Sequence, residues 1–418
     1  MRIGVIADDF TGGTDIASFL VKGGLNTVQL SGVPQSPIET DADAIVISLK
    51  SRSCAPSEAI EQSLNALAYL QHNDCTHVYF KYCSTFDSTE KGNIGPVTDA
   101  LMAALKTKFT VVCPSLPLNG RCVFNGNLYV NGVLLNESGM RDHPITPMRD
   151  SNLARLMDAQ ANGTTALVNY QTVEQGCDAI LKAYAVAQQE GHKYAVVDAF
   201  NEQQLSLIAQ SLVDMPLITG GSGLAYHIAA VASQHKHKKQ DSEMKVPSKV
   251  PSVVLSGSCS QMTNLQVAAY QDKAPTYAIE AERCLTDDCY AQQVSEWVME
   301  QQGLDYAPMV YATANVEKLK QIQQQYGAEK ASAAVEAFFA KLTEILSDRG
   351  IRNFIVAGGE TSGVVTQHLN LAALNIGKEI APGVPWVFSL DGYFALALKS
   401  GNFGSEQFFS QAQEMFHV

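Results

Sequence analysis

At 418 residues, with 46% hydrophobic and 17% charged side chains, the chain has enough material for two domains that each bury a core. A net charge of −13 excludes a general nucleic-acid surface, which needs a basic face, but not a small anion held by a few local cations. No run reaches the ~18 apolar residues of a membrane helix, no leader precedes the first strand, and the nine cysteines include no CxxC pair. The expected setting is a reducing cytoplasm.

The opening residues MRIGVIADDFTGGT carry a strand signal at Ile3–Ala7, two adjacent carboxylates, and then a return to helical spacing at Ile16, Ala17, Phe19 and Leu20. Ligands of open α/β sheets sit beyond the carboxyl ends of strands, which is where Asp8 and Asp9 fall. An acidic turn suits hydroxyls or a metal better than bare phosphate. Capping the helix would need one carboxylate, and here there are two.

Further strand signals follow at Thr27–Leu30, Ala44–Leu49, His77–Lys81, Thr110–Cys113, Ala166–Asn169, Tyr194–Val197 and Leu217–Thr219, with helical spacing between them, as in Ser57–Leu70 and Thr172–Glu190. The segment Arg121–Pro147 reads as an irregular loop. Residues 233–251 (SQHKHKKQDSEMKVPSKVP) read as a polar linker. The pattern then restarts at Ser252–Leu255, Tyr277–Ile279, Met309–Tyr311, Asn353–Val356 and Val387–Leu390, with helices at Asp287–Gln302 and Ala331–Ser347. The fold class expected is α/β with two domains, 1–232 and 252–418, each a largely parallel sheet flanked by helices, with a ligand cleft between them.

Four groups end strands on one rim of the first domain: Asp8-Asp9, Lys50–Ser53, Lys81 through Thr89, and Pro114–Arg121. Arg52 has the fork to grip a carboxylate, and Lys81 or Lys91 adds a point charge. Alone, Arg52 reads equally well as a surface side chain. Asp87 could take the proton of an attacking hydroxyl, or merely close an Asx turn. His143 and Arg141 sit in the irregular segment, where a catalytic histidine is the minority reading.

In the second domain, Ser256, Gly257, Ser258, Cys259 and Ser260 lie between a strand and a helix. So do Gly358, Gly359, Glu360, Thr361, Ser362 and Gly363. Free N–H groups at a helix start favour phosphate, and Glu360 could meet a metal through water. Each turn alone could equally be a cap. Neither is a Walker A loop, because Val364 stands where Lys is required.

Three blocks together carry a resemblance: ADDFTGGTD, then FDSTEKGNIG, then AGGETSG. In this order they resemble the four-carbon acid sugar kinases over essentially the whole chain, and KYCSTFDSTEKGNIG is most similar to the 3-oxo-tetronate kinase branch. The family form DSTxRGN has Arg where this chain has Lys91, so a bidentate role there is lost. The resemblance implies ATP and Mg2+ as cofactors, a sugar acid on residues 1–232, and ATP on residues 252–418. It implies phosphorylation of the C4 hydroxyl, with threonate and erythronate as alternative substrates. Asp9 and Asp87 are then the catalytic candidates; Asp8, Arg52, Lys81, Thr89 and Lys91 the substrate contacts. Ser256, Ser258, Gly358–Gly363, Gly401 and Gly404 are the nucleotide contacts. No nucleic acid or membrane is expected as partner, and a homo-oligomer stays open. The rivals are a non-catalytic two-lobed binding protein, and an isomerase or hydrolase with a metal on Asp8 and Asp9.

Overall fold

The computed structural model describes residues 2–35, 38, 40–142, 146–233, 250–312 and 327–415. The chain divides into two compact units, Met1–Gln240 and Asp241–Val418. Most of the expected linker, and His143, lie outside the described residues. Among the described residues no helix is long and apolar enough to cross a membrane.

The first unit is built on β1 (Ile3–Ala7), β2 (Thr27–Ser31), β3 (Ala44–Ser48), β4 (His77–Lys81) and β5 (Thr110–Cys113). After β6 (Arg121–Phe124), β7 (Asn127–Val130) and β8 (Val133–Leu134) come β9 (Thr165–Val168), β10 (Tyr194–Val197) and β11 (Leu217–Gly220). The main sheet runs β2-β3-β1-β4-β11-β5-β10-β9, with every pair parallel. Its central strands, such as IGVIA in β1 and TVVC in β5, are buried at every position. Continuous apolar runs, rather than alternation, are what a sheet covered on both faces requires. Helices Phe10–Lys22, Pro56–His72, Ile94–Leu105, Cys177–Gln189, Glu202–Ser211 and Gly223–Ser233 provide the cover.

The register places the site. Ala7 pairs with Ser48 on one side and Lys81 on the other, so the segments leaving β1, β3 and β4 start level. The chain passes from β1 to β2 on one side and from β3 to β4 on the other, which opens a crevice at β1.

Two expectations for this unit are corrected. The helix read over Thr172–Glu190 is two helices, Tyr170–Glu174 and Cys177–Gln189, broken at Gly176. Arg121–Pro147 is not irregular throughout: β6, β7 and β8 form an antiparallel sheet. Its two turns are Asn125-Gly126 and Asn131-Gly132, all four residues at positive φ (48°, 72°, 52° and 85°). Asn-Gly is the preferred pair for such mirror-image turns, because both positions need φ above zero. Asp198 fixes the first hairpin by accepting from the N–H groups of Asn125, Gly126 and Tyr170 at 2.8–2.9 Å.

The second unit contains β12 (Ser252–Ser256), β13 (Thr276–Ala278), β14 (Met309–Tyr311), β15 (Asn353–Ala357), β16 (Ala373–Ala381), β17 (Val384–Ser389) and β18 (Ala395–Lys399). Its own order is β13-β14-β12-β15-β18-β17-β16, parallel through β18 and antiparallel beyond. Trp386, Ile355, Ala397 and Phe408 meet in its core. β16 and β18 were not anticipated, because Ala and Leu in ALALK and the Gly and charges in ALNIGKEIA carry no β signal by themselves.

Candidate active site

Asp9 caps the helix Phe10–Lys22, its Oδ1 accepting from Gly12 N–H at 2.8 Å and its Oδ2 from the Thr11 hydroxyl at 3.3 Å. Asp8 is held from behind by its backbone. Its N–H donates to Lys81 O, and its carbonyl accepts from Ser51 and Arg52 N–H. That exchange draws the segment after β3 across the end of β1 and delivers Arg52. The guanidinium donates from Nε and Nη2 to the two Asp8 oxygens, both at 2.8 Å, while Nη1 lies 3.0 Å from Asp9 Oδ2. The fork expected to grip a substrate carboxylate therefore closes on Asp8 instead, and neither carboxylate of the pair is spare. Asp9 thus combines the helix cap with its contact to Arg52.

The two neighbours differ electrostatically. Burial pushes the Asp8 carboxyl above its ordinary value even against Arg52. Burial opposes ionisation of Asp9 too, but Arg52 and Lys81 outweigh it and hold that carboxyl below its ordinary value. Paired carboxyls driven apart in this way are a recurrent feature of reactive sites.

Asp87 reaches the same place from another loop. With Asp8, Ser51, Arg52, Ser88 and Asn93 it lines one small hollow. Its Oδ1 accepts from the Thr85 hydroxyl at 2.6 Å. Phe86, directly before it, is fully buried yet at φ 51°, and packs edge-on against Tyr82 at 5.5 Å. A buried aromatic in the left-handed region is strained, and its neighbours must hold it there. The strain sits where a carboxylate is aimed.

Of the other expected residues, Thr89 closes the turn to Gly92 and Lys91 is exposed. Lys81 is buried, with its Nζ donating to Tyr82 O at 3.0 Å and lying 3.9 Å from Asp15 Oδ2; it does not line the hollow. The sequence did not single out two residues that brace these loops. Asn93 Nδ2 donates to the carbonyls of Ser51, Arg52 and Cys54 at 2.8, 3.3 and 2.9 Å. Gln160 Oε1 accepts from Ser88 Oγ and Gly95 N–H, and its Nε2 donates to Thr89 O. Asn93 lies in the FDSTEKGNIG block and Gln160 in no motif, and neither position announces contacts across 39 to 72 residues. Asn93→Ala should lower stability by about 1–3 kcal/mol, because Asn93 supplies the donor to these carbonyls. A melting temperature unchanged from wild type would show that the loop holds without it.

In the second unit three turns meet. Ser256–Ser260 follows β12 and enters the helix Gln261–Gln271, capped by Ser260. Gly358 follows β15, opens the helix Gly359–His368 at φ 124°, and donates its N–H to Lys399 O. Gly401 lies just beyond β18. A Cβ on Gly257 would stand 2.2 Å from Thr361 Oγ1, and one on Gly358 would stand 3.2 Å from Ser258 N. On Gly401 it would stand 2.4 Å from Ser258 Oγ and 2.8 Å from Ser260 Oγ. Glycine at these positions lets the turns close on the neighbouring hydroxyls and on the Ser258 backbone without a clash. Ser362 Oγ is buried with no hydrogen-bond partner among the described residues. Glu360 is exposed on the first turn of the helix Gly359–His368.

A parallel sheet with carboxylates and a cation at its strand ends, and a second unit whose small-residue turns converge, are the parts of a two-domain α/β enzyme for small polar substrates. Comparison with known proteins agrees. One family model, a sugar-binding N-terminal domain, matches residues 3–228, and another, a nucleotide-binding C-terminal domain, matches residues 253–409. The 3-oxo-tetronate kinase of Salmonella typhimurium is 55% identical over 100% of both chains. That of Haemophilus influenzae is 54% identical over 99% of this chain and 100% of its own. Among solved structures, a Haemophilus influenzae protein aligns with TM-score 0.83 at 54% identity, over 99% of this chain and 100% of that one. A Salmonella typhimurium protein, suggested with its structure to be a tRNA synthase, aligns with TM-score 0.92 at 54% identity over 99% of each. The chain belongs to the four-carbon acid sugar kinase family, most like its 3-oxo-tetronate kinase branch, and is a phosphotransferase acting on a hydroxyl group.

Proposed function

We propose that this kinase transfers the γ-phosphoryl group of ATP to the C4 hydroxyl of a four-carbon sugar acid, with 3-oxo-tetronate as the substrate. The names of its relatives support the substrate. The meeting of three glycine-bearing turns in the second unit is the observation that carries the ATP reading. Small-residue turns drawn together at two helix starts, where the helix dipole favours negative charge, suit a chain of phosphates.

On this reading Ser256, Ser258, Gly358, Gly359, Thr361, Ser362, Gly363, Gly401 and Gly404 seat the nucleotide. Among the described residues no three side chains form a metal cage. Mg2+ in kinases is held largely by phosphates and water, so the single carboxylate of Glu360 is a sufficient protein contribution. When bound, Mg2+ would neutralise charge on the phosphates.

In the first unit Asp87 accepts the proton of the attacking hydroxyl. Arg52, fixed by Asp8 and Asp9, presents positive charge at the hollow, and Lys81 adds to the field. Thr89 and Lys91 flank the approach. Phosphoryl transfer asks the protein chiefly to align the reactants, neutralise charge and exclude water. The isomerase or hydrolase alternative needs a metal on Asp8 and Asp9, a place that Arg52 fills.

Gly401→Val tests the nucleotide seat, since the added side chain must displace Ser258 and Ser260. The KM for ATP should rise at least tenfold while that for the acid changes little. A folded variant with the wild-type KM for ATP would refute the assignment.

A further inference from the structure

Lys399, the last residue of β18, is fully buried. Its Nζ donates to Thr263 Oγ1 at 3.1 Å and to Gly401 O at 3.0 Å. Thr263 Oγ1 in turn donates to Gly401 O at 2.7 Å and accepts from Ser260 Oγ at 3.1 Å, while Ser260 N–H donates to Ser258 Oγ at 3.2 Å. The ammonium therefore lies directly behind the seam between the Ser256–Ser260 turn and the Gly401 turn. Both its partners are neutral. Among the described residues it makes no ion pair.

Such a charge is costly. A buried ammonium is normally paired or discharged, and a pin for two neutral oxygens requires no charge. The phosphate chain proposed for these turns is the polyanion this place would accept. We propose that Lys399 supplies the buried positive charge of the nucleotide seat, a positioning residue acting through Thr263 and the Gly401 turn, whose counter-ion is the bound phosphate chain. This rests on the reading that the three turns hold the nucleotide.

Burial pulls the Lys399 ammonium down to about 7, with no charged neighbour contributing. The titratable groups on the surrounding elements are Tyr270 on Gln261–Gln271, Glu360 and His368 on Gly359–His368, Cys259 and Glu406 in the loops, and Glu414 on Phe408–Glu414. Of these, His368 is engaged by Glu344 at 2.8 Å and Tyr270 by Ala307 O and Gln413. β15 and β17 bring no ionisable side chain. An arriving polyanion favours the charged form of Lys399, so binding takes up a proton wherever the free protein has lost it.

The test is calorimetric titration of the whole protein with ADP and Mg2+ at pH 8, in two buffers of different ionisation enthalpy. At that pH the terminal phosphate of ADP is already ionised, and a lysine at about 7 is about nine-tenths discharged. Wild type should take up close to one proton per ADP bound. Lys399→Met should bind ADP about ten- to a hundredfold more weakly and take up none. Lys399→Arg, which cannot shed its charge, should bind more tightly than the Met variant without proton uptake. No uptake by wild type, or uptake undiminished in Lys399→Met, would overturn the proposal. Gly401→Val separates the two claims: if it leaves ADP affinity unchanged, the nucleotide reading itself falls.

Discussion

Asp87→Asn should lower kcat by about 10²–10⁴ while leaving the fold and both KM values nearly as they are. The amide keeps the shape of the carboxylate and can still accept from the Thr85 hydroxyl, so the turn after Phe86 keeps its closure. What it loses is the ability to take a proton. A base acts mainly in the transition state, so its loss appears in kcat more than in substrate binding. Steady-state kinetics with both substrates, together with a melting curve, checks this. Wild-type kcat in a variant with a lowered melting temperature would instead identify Asp87 as a turn-former. A large kcat loss in Asp9→Asn alone would transfer the role to Asp9.

Arg52→Ala should have the largest effect on stability. The guanidinium lies between two carboxylates, and its removal leaves Asp8, buried, without its bidentate partner. Breaking a buried pair costs about 3–5 kcal/mol. The lower end applies, because the Arg52 and Asp9 side chains remain 23% and 30% exposed. Turnover with the acid should fall at least tenfold, since the hollow loses its cation.

The pH dependence has a definite sign. In the wild type, Asp9 is below its ordinary value of 3.8, so it contributes stability above that pH and loses it in stronger acid. Without Arg52 burial acts on Asp8 with its strongest counterweight gone, and Asp9 keeps only Lys81 and its cap hydrogen bonds, so ionisation of the pair is less favoured in the folded variant as pH rises. The gap in melting temperature between wild type and variant should therefore be wide at pH 7 and narrow towards pH 4.5. A gap that is constant with pH would mean that Arg52 stabilises by packing alone.

The parallel core was legible because its strands are unbroken apolar runs ended by turn residues, as in Ile3–Ala7 and Thr110–Cys113. The hairpins at Asn125-Gly126 and Asn131-Gly132 were equally legible in principle, but a segment dense in Asn and Gly reads as loop until the pairs are matched to turn types. β18 was hidden because ALALK is held in a sheet by its neighbours and not by its own preference.

At the candidate site, residue types and strand-end positions brought out Asp8, Asp9, Arg52 and Asp87. The pairing of Arg52 with both carboxylates stayed out of sight, because spacing of 43 and 44 residues carries no geometry. Asn93 acts across 39 to 42 residues, and Gln160 and Lys399 across longer separations still. Lys399 left one trace, a lysine closing an apolar strand, the same trace that drew attention to Lys81.

The most direct test of the central claim is to follow the products of ATP and 3-oxo-tetronate by 31P NMR with the purified protein. The account predicts one ADP for each phosphorylated acid, with the new phosphorus coupled to the protons on C4. ADP formed without a phosphorylated acid, a phosphate on another carbon, or no turnover of any four-carbon acid would contradict it.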